Sequence, residues 1–78
     1  MTNAEKTQLI ADLIKITGLN KSEIRRRAAI AEHSFQQKIN LRPTYENGFT
    51  DKELTAITNV LNGIGCEILA LLNKLEQE

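Results

Sequence analysis

The chain has 78 residues, of which 41% are hydrophobic and 26% are charged, and its formal net charge at pH 7 is zero. This length predicts one small domain, and a single cysteine excludes an internal disulfide, so we expect a reducing cytoplasm. Positions 1–10 lack the basic start and apolar run of a signal peptide, and no uninterrupted apolar stretch approaches the roughly 18 residues that span a membrane. We therefore expect a soluble cytoplasmic protein with no membrane partner.

The first predicted element is a helix that begins near Asn3. Thr2 and Glu5 have the spacing of a capping box, in which each side chain satisfies the other residue's backbone N–H. Gly18 is suited to end this helix in the left-handed conformation, and Leu19 is expected to pack inward. The apolar stripe of the helix consists of Leu9, Ile10, Leu13, Ile14 and Ile16.

The stretch from Asn20 to Ile39 contains two short helix signals in close succession. Asn20 can cap the first helix, and Glu23 can complete a capping-box-like pair. A buried Ile30 would anchor a tight bend, after which Phe35 and Ile39 restart a four-residue apolar spacing with polar residues between them. This is the pattern of a helix-turn-helix, in which the first helix braces a second whose outer face reads DNA.

A loop and a fourth helix are predicted next. Pro43 blocks continuation of the preceding helix, and Asn47-Gly48 is a strong turn signal. Thr50 with Glu53 then forms a second capping-box pattern that opens the helix. Its expected inward residues are Leu54, Ile57, Val60 and Leu61.

A fifth helix completes the predicted fold. Asn62-Gly63 is expected to stop the fourth helix, Ile64 to enter the core, and the last helix to occupy about residues 65–77. The expected architecture is a single all-α domain over residues 1–78, a compact bundle of about five helices that contains the helix-turn-helix.

A broader pattern of size and polarity extends from about Glu5 to Leu69. It is carried by Gly18-Leu19, Glu23-Ile24, Arg26-Arg27, Ile30, Ser34-Phe35, Lys38-Ile39-Asn40 and Phe49-Thr50, with Leu54, Ile57 and Leu61. The pattern resembles the Cro-like phage repressor family, also called the xenobiotic-response-element helix-turn-helix family. The resemblance implies a lambda-repressor-like fold that binds double-stranded DNA.

The resemblance also implies that residues 32–39 lie in the major groove. Glutamine can pair bidentately with adenine, histidine can donate or accept at base edges, and glutamate can accept from the cytosine amino group. The predicted base contacts are Gln36, Gln37, His33 and Glu32. Lys21 corresponds to a position where this family contacts phosphate. The other candidate phosphate contacts are Ser34, Lys38, Asn40 and Arg42.

The charge distribution favours this interpretation, although the net charge does not. Residues 21–42 hold six basic and two acidic side chains, which gives +4, whereas residues 51–78 hold two basic and five acidic ones, which gives −3. A basic middle segment is typical of a phosphate-facing surface. A plain solvated helix face remains the alternative for Gln36 and Gln37, and the run Arg25–Arg27 fits a solvated face as well as a phosphate contact.

The last predicted helix carries a broad apolar arc, wider than a small domain covers by itself. We expect it to pack against a second subunit about a two-fold axis. The predicted interface residues are Ile68, Leu69, Leu72 and Leu75.

These features predict a sequence-specific transcriptional regulator of bacterial or phage origin, a phage-type repressor that binds a near-palindromic operator as a homodimer. The alternative is a helix-turn-helix interaction module, for example an antitoxin or anti-repressor-like partner, that does not read DNA. No catalytic constellation, cofactor motif, metal site or small-molecule ligand is expected, and the protein is not predicted to be an enzyme.

Overall fold

The computed structural model describes residues 1–40 and 47–77, and within these ranges the protein is all-helical. The four helices are α1 (Asn3–Thr17), α2 (Lys21–Arg27), α3 (Glu32–Ile39) and α4 (Asp51–Glu76). The all-α prediction is confirmed. The count of five helices is wrong, because α4 is continuous where a break was expected. Arg42 and Pro43 lie outside the described residues.

The helix α4 continues through Gly63 and Gly65, although Asn62-Gly63 is a turn signal. Left-handed glycines occur in the described chain only at Gly18 and Gly48, so Gly63 and Gly65 keep helical backbone angles. An interior glycine costs about 1 kcal/mol relative to alanine. A 26-residue helix anchored at its first half tolerates that cost, because each further residue adds a backbone hydrogen bond without a new nucleation step.

The predicted starts of α1 and α4 are confirmed. Both capping boxes form, between Thr2 and Glu5 and between Thr50 and Glu53, with the hydroxyl accepting from the glutamate N–H at 3.1 and 3.2 Å. Gly18 ends α1 with φ of 71° and donates its N–H to the carbonyl of Ile14. This is the hydrogen bond that a left-handed helix end requires.

The core lies where α1, α2 and α3 meet the first half of α4. Two phenylalanines, Phe35 and Phe49, contact each other at its centre with ring centroids 5.4 Å apart. The buried hydrophobic side chains of the described residues are Ile10, Ile14, Ile24, Ile30, Phe35, Ile39, Phe49, Leu54 and Ile57.

A buried threonine joins the segment before α4 to α1. Thr7 Oγ1 accepts the N–H of Phe49 at 3.0 Å and donates to the carbonyl of Asn3 at 2.7 Å, so the hydroxyl is satisfied although it is fully buried. Gly48 has φ of 73°, and a Cβ at this position would collide with Thr7. Gly48 is therefore required both by its backbone angle and by close approach.

The second half of α4 extends beyond this core. The molecule measures 51 × 23 × 20 Å. Its longest helix has 26 residues, which at the rise of an α-helix corresponds to a length of about 39 Å. By length and composition alone α4 could also cross a membrane, and only 11% of its apolar window is buried within the domain. This corrects the expectation that the chain holds no such stretch, but Leu54 and Ile57 of the same helix are buried in the domain core.

Candidate functional site: the outer face of α3

The inner side of α3 is fixed by two large buried side chains. Phe35 and Ile39 are 1% and 4% exposed, so the orientation of the helix about its own axis is set. Ile24 of α2 and Ile30 in the connection are buried in the same core. The opposite side of α3 is therefore turned outward.

The connection between α2 and α3 is a Schellman turn centred on a left-handed alanine. Ile30 donates its N–H to the Arg25 carbonyl and Ala29 donates to Arg26, both at 3.1 Å. Ala29 has φ of 58°. A left-handed backbone costs a non-glycine residue about 1–2 kcal/mol. The Arg25 guanidinium closes the turn by donating to the Ile30 carbonyl at 3.1 Å. The predicted bend with a buried Ile30 is confirmed.

The candidate base-contacting residues lie on the outward side of α3. His33 and Gln36 are exposed and Gln37 is half-buried. Glu32 begins the helix and Asn40 follows its last residue, and both are exposed. None of these five side chains hydrogen-bonds to another residue of the described ranges, so their polar groups are available to a ligand.

Lys38, a candidate phosphate contact, has a different position. Its ammonium lies 2.8 Å from the Glu53 carboxylate, with the two side chains 14% and 19% exposed. Burial by itself would raise the pKa of Glu53. Hydrogen bonds from Lys38 and from the Thr50 backbone, together with the charge of Lys38, outweigh that effect and hold the pKa below its ordinary value of 4.5. The pair joins α3 to α4, and a phosphate would have to compete with Glu53 for the lysine.

A shallow groove flanks the start of α3, and one of the residues that line it is Lys52, which was not predicted from the sequence as a phosphate contact. Ser34 and Lys52 line this groove together with the residues of the turn. Lys52 is exposed and forms no ion pair with another described residue. The start of α3 has no side-chain cap, because Ala31 occupies that position. Its first N–H groups are therefore open. The signal in the sequence was weak, since Lys52 is a lone lysine in an acidic segment.

The three arginines of α2 are engaged within the protein. Arg26 and Arg27 contact the Glu23 carboxylate at 2.9 and 3.2 Å, and Arg27 also approaches Glu67 of α4 at 3.7 Å. Glu23 is therefore bound to arginines, and no capping box forms with Asn20, which instead caps α2 through its own side chain. The formal charge of +4 overstates the free positive charge near α3, where Lys21 is the exposed basic residue of α2 without an ion pair to a described residue.

No known protein family, curated protein or solved structure matches this chain. The class that the structure itself defines is a small all-helical domain with a short, rigidly packed helix pair. Membership of the Cro-like family remains a prediction from the residue pattern.

Proposed function

We propose that this protein binds double-stranded DNA with sequence specificity, with α2 and α3 acting as a helix-turn-helix and the outer face of α3 lying in the major groove. As a regulator of transcription it would act as a repressor, bound as a homodimer to a near-palindromic operator. The observation that carries the proposal is the outward row of His33, Gln36 and Gln37 on a helix whose inner face is locked by Phe35.

The proposal rests on the difference between a rigid polar surface and an ordinary solvated one. Base readout requires a helix backbone that is fixed in position and side chains that are not satisfied within the protein, because each bidentate contact depends on geometry. The α3 backbone is held by buried side chains on one side and by the Lys38–Glu53 pair on another. Gln36 and Gln37 both carry the donor and acceptor groups that match adenine.

The expected phosphate contacts are fewer than the basic residues suggest. Lys21 and Lys52 are exposed and flank the helix pair. Ser34 and the uncapped start of α3 could donate further hydrogen bonds to a phosphate. With two lysines in each half of a dimer, the slope of log affinity against log salt should be about −3.6. A slope near zero would contradict phosphate binding altogether.

Selection of binding sites from random duplex DNA tests the function directly. Once a preferred site is known, Gln36→Ala should weaken binding to it by about 1–3 kcal/mol and leave binding to random DNA nearly unchanged. Lys21→Ala should weaken both alike, because phosphate contacts carry no sequence information. Gln8→Ala, an exposed glutamine on α1, is the matched control and should change neither affinity.

A helix-turn-helix interaction module without DNA binding is the second candidate. Glu32 places a negative charge at the start of α3, and three of the nearby cations, Arg26, Arg27 and Lys38, are already paired with Glu23 and Glu53. Failure to select any duplex at low salt, with the fold intact, would favour this second function.

A further inference from the structure

The second half of α4 is apolar on one side and bare in the described structure. The opposite side of this half-helix carries small or polar residues, namely Cys66, Glu67, Ala70, Asn73 and Lys74. The exposed apolar side chains are Ile68 (49%), Leu69 (62%), Leu71 (60%), Leu72 (46%) and Leu75 (68%). An apolar surface of this extent marks an interaction site.

This bare face continues the face that the domain core covers. Leu54, Leu61, Ile68 and Leu75 follow one another at seven-residue spacing and so lie nearly on one line along α4. Leu54 is buried and Leu61 packs against the core, whereas the last two are exposed. A helix laid against the second half of α4 would extend the packing that α1, α2 and α3 provide for the first half.

We propose that the second half of α4 is covered by the same half-helix of a second copy of this chain, packed antiparallel. The position of the core decides the direction. In a parallel pair, both cores would lie at the same end of the pair, on the facing sides of the two helices, and they would occupy the same space. In an antiparallel pair, each core lies beyond the end of the other helix.

We assign the register from Ile68 and Leu72, the two residues at the centre of the apolar arc. Where two antiparallel helices touch, the contact residues alternate between two heptad positions, and each position packs against the other. Here Ile68 packs against Leu72 of the partner subunit, and Gly65 packs against Leu75 of the partner subunit. The two-fold axis then crosses the pair at the height of Ala70, whose side chain points away from the partner, and Leu69 and Leu71 each lie beside their own copies. A Cβ at position 65 meets nothing within 4 Å in the single chain, so the domain itself does not require glycine there. The pair does, because Leu75 of the partner subunit needs that space.

The surface is large enough for a specific pair. With about half of each side chain exposed, the five residues contribute about 100 Å² each, and two copies would bury about 1,000 Å², which is the minimum for a specific interface and lies below the standard size of about 1,200–2,000 Å². The groove between α1 and α4, lined by Leu9, Leu13 and Leu61, continues the same surface and could receive the end of the partner's helix.

The pairing has a geometric consequence for the proposed DNA site, and this consequence alone rests on the proposed function. Arg27 contacts Glu67, which places α2 and α3 on one flank of α4, so both copies of α3 lie on the same side of the pair. Glu53 lies beside α3 through its contact with Lys38. Because Glu53 is 17 residues from the axis at Ala70, the two α3 helices are separated by about 50 Å along α4. Half-sites on one face of straight DNA lie a whole number of turns of about 34–36 Å apart, so a separation of about 50 Å requires a bent or untwisted operator.

Sedimentation equilibrium of the full chain at micromolar concentration tests the pairing without DNA. We expect a dimer, and Leu69→Glu should raise the dissociation constant about 100-fold or more, because it sets two carboxylates face to face. Ala70→Glu, on the opposite side of α4, is the matched control and should pair normally. Mixing Leu69→Glu with Leu69→Lys should restore pairing, since residue 69 meets its own copy only in the antiparallel register.

Cross-linking tests the register independently. Leu69→Cys in a Cys66→Ser background should form a covalent dimer with diamide, while the natural chain, whose Cys66 faces away, should not. A monomer at 100 µM, or a dimer in which Leu69→Cys fails to cross-link, would overturn the proposal.

Binding of the unmodified chain to phospholipid vesicles, abolished by Leu69→Glu, would also overturn it and assign the surface to a membrane. Circular dichroism of every variant establishes that the domain is folded, and loss of DNA binding with pairing intact would reject only the DNA function.

Discussion

The two halves of α4 carry the same apolar spacing and have opposite environments. In the first half, Leu54 and Ile57 are 6% and 0% exposed, whereas in the second half Ile68 and Leu75 are 49% and 68% exposed. Local sequence is not the cause, because both halves present their apolar residues at helical spacing. The difference arises because three other helices pack against the first half, whereas no described element covers the apolar face of the second half, which α2 approaches only at Glu67 on another side of the helix. An amphipathic pattern thus predicts that an apolar face will be buried, but it does not identify whether the same subunit or a second one buries it.

Truncation of one isoleucine in each half of α4 tests whether the two halves differ in packing. Ile57→Ala should lower the free energy of unfolding by about 2–5 kcal/mol, because it leaves a cavity in a close-packed core. Ile68→Ala, the matched variant, should cost a dilute, monomeric chain less than about 1 kcal/mol and should weaken pairing instead. Urea denaturation at low protein concentration compares the two. Equal losses would mean that the second half is packed within its own subunit.

A second experiment removes the ion pair that anchors the first half to α3. Lys38→Met should destabilise the fold by about 1–3 kcal/mol at pH 7, because it leaves the Glu53 carboxylate half-buried without its partner. Folding lowers the pKa of Glu53 from its ordinary value of 4.5. The stabilisation is therefore complete above the unfolded pKa and is lost as pH falls through the lower folded pKa.

The effect of Lys38→Met should therefore shrink at pH 3, and unfolding curves at the two pH values measure it. Lys52→Met, an exposed neighbour outside any described ion pair, is the control and should change stability little at either pH. An effect of Lys38→Met that is independent of pH would contradict the assigned pair.

Two glycines in α4 separate the stability of the helix from the pairing of two subunits. Neither Gly63 nor Gly65 has an obstacle to a new methyl group in the single chain. Gly63→Ala and Gly65→Ala should therefore each stabilise the helix by about 1 kcal/mol. Only Gly65 lies on the pairing face, so Gly65→Ala should also weaken the dimer while Gly63→Ala leaves it unchanged. Thermal unfolding and sedimentation of the two variants separate the effects, and identical sedimentation would contradict the proposed register.

The smallest expected effect lies outside α4 and separates folding from pairing. Ala29→Gly should stabilise the domain by up to about 1 kcal/mol, because glycine adopts the left-handed angle of the Schellman turn without strain. Pairing of the α4 halves should not change. A destabilised Ala29→Gly variant in urea unfolding would contradict the turn geometry.

Local signals predicted much of the fold because their causes are local. The Thr2–Glu5 and Thr50–Glu53 capping boxes and the left-handed Gly18 depend on residues within one turn of each other. The helix end predicted at Asn62-Gly63 is wrong, because a two-residue turn signal is only a local preference and the tertiary packing of the first half of α4 outweighs it. Glu23 was predicted as a cap and instead binds Arg26 and Arg27, since several partners at three- and four-residue spacing competed for one carboxylate.

The residues of the candidate site also divide into those that local sequence predicted and those that only the packing of α3 against α4 positioned. Periodicity around Phe35 and Ile39 was enough to turn His33 and Gln36 outward. The pairing of Lys38 with Glu53, fifteen residues away, and the position of Lys52 beside Ser34 depend on how α3 meets α4, which no local pattern encodes.

By itself the sequence determined the helical class, the starts of α1, α2 and α4, and the inward residues Phe35 and Ile39 of α3, because hydrogen-bond capping and helical periodicity act over a few residues. Only the tertiary structure decided that α4 is one helix, that Thr7 is buried against Gly48, and that half of an apolar face is left bare. Those outcomes depend on how much surface the other helices can cover, and that is a property of the packed molecule as a whole.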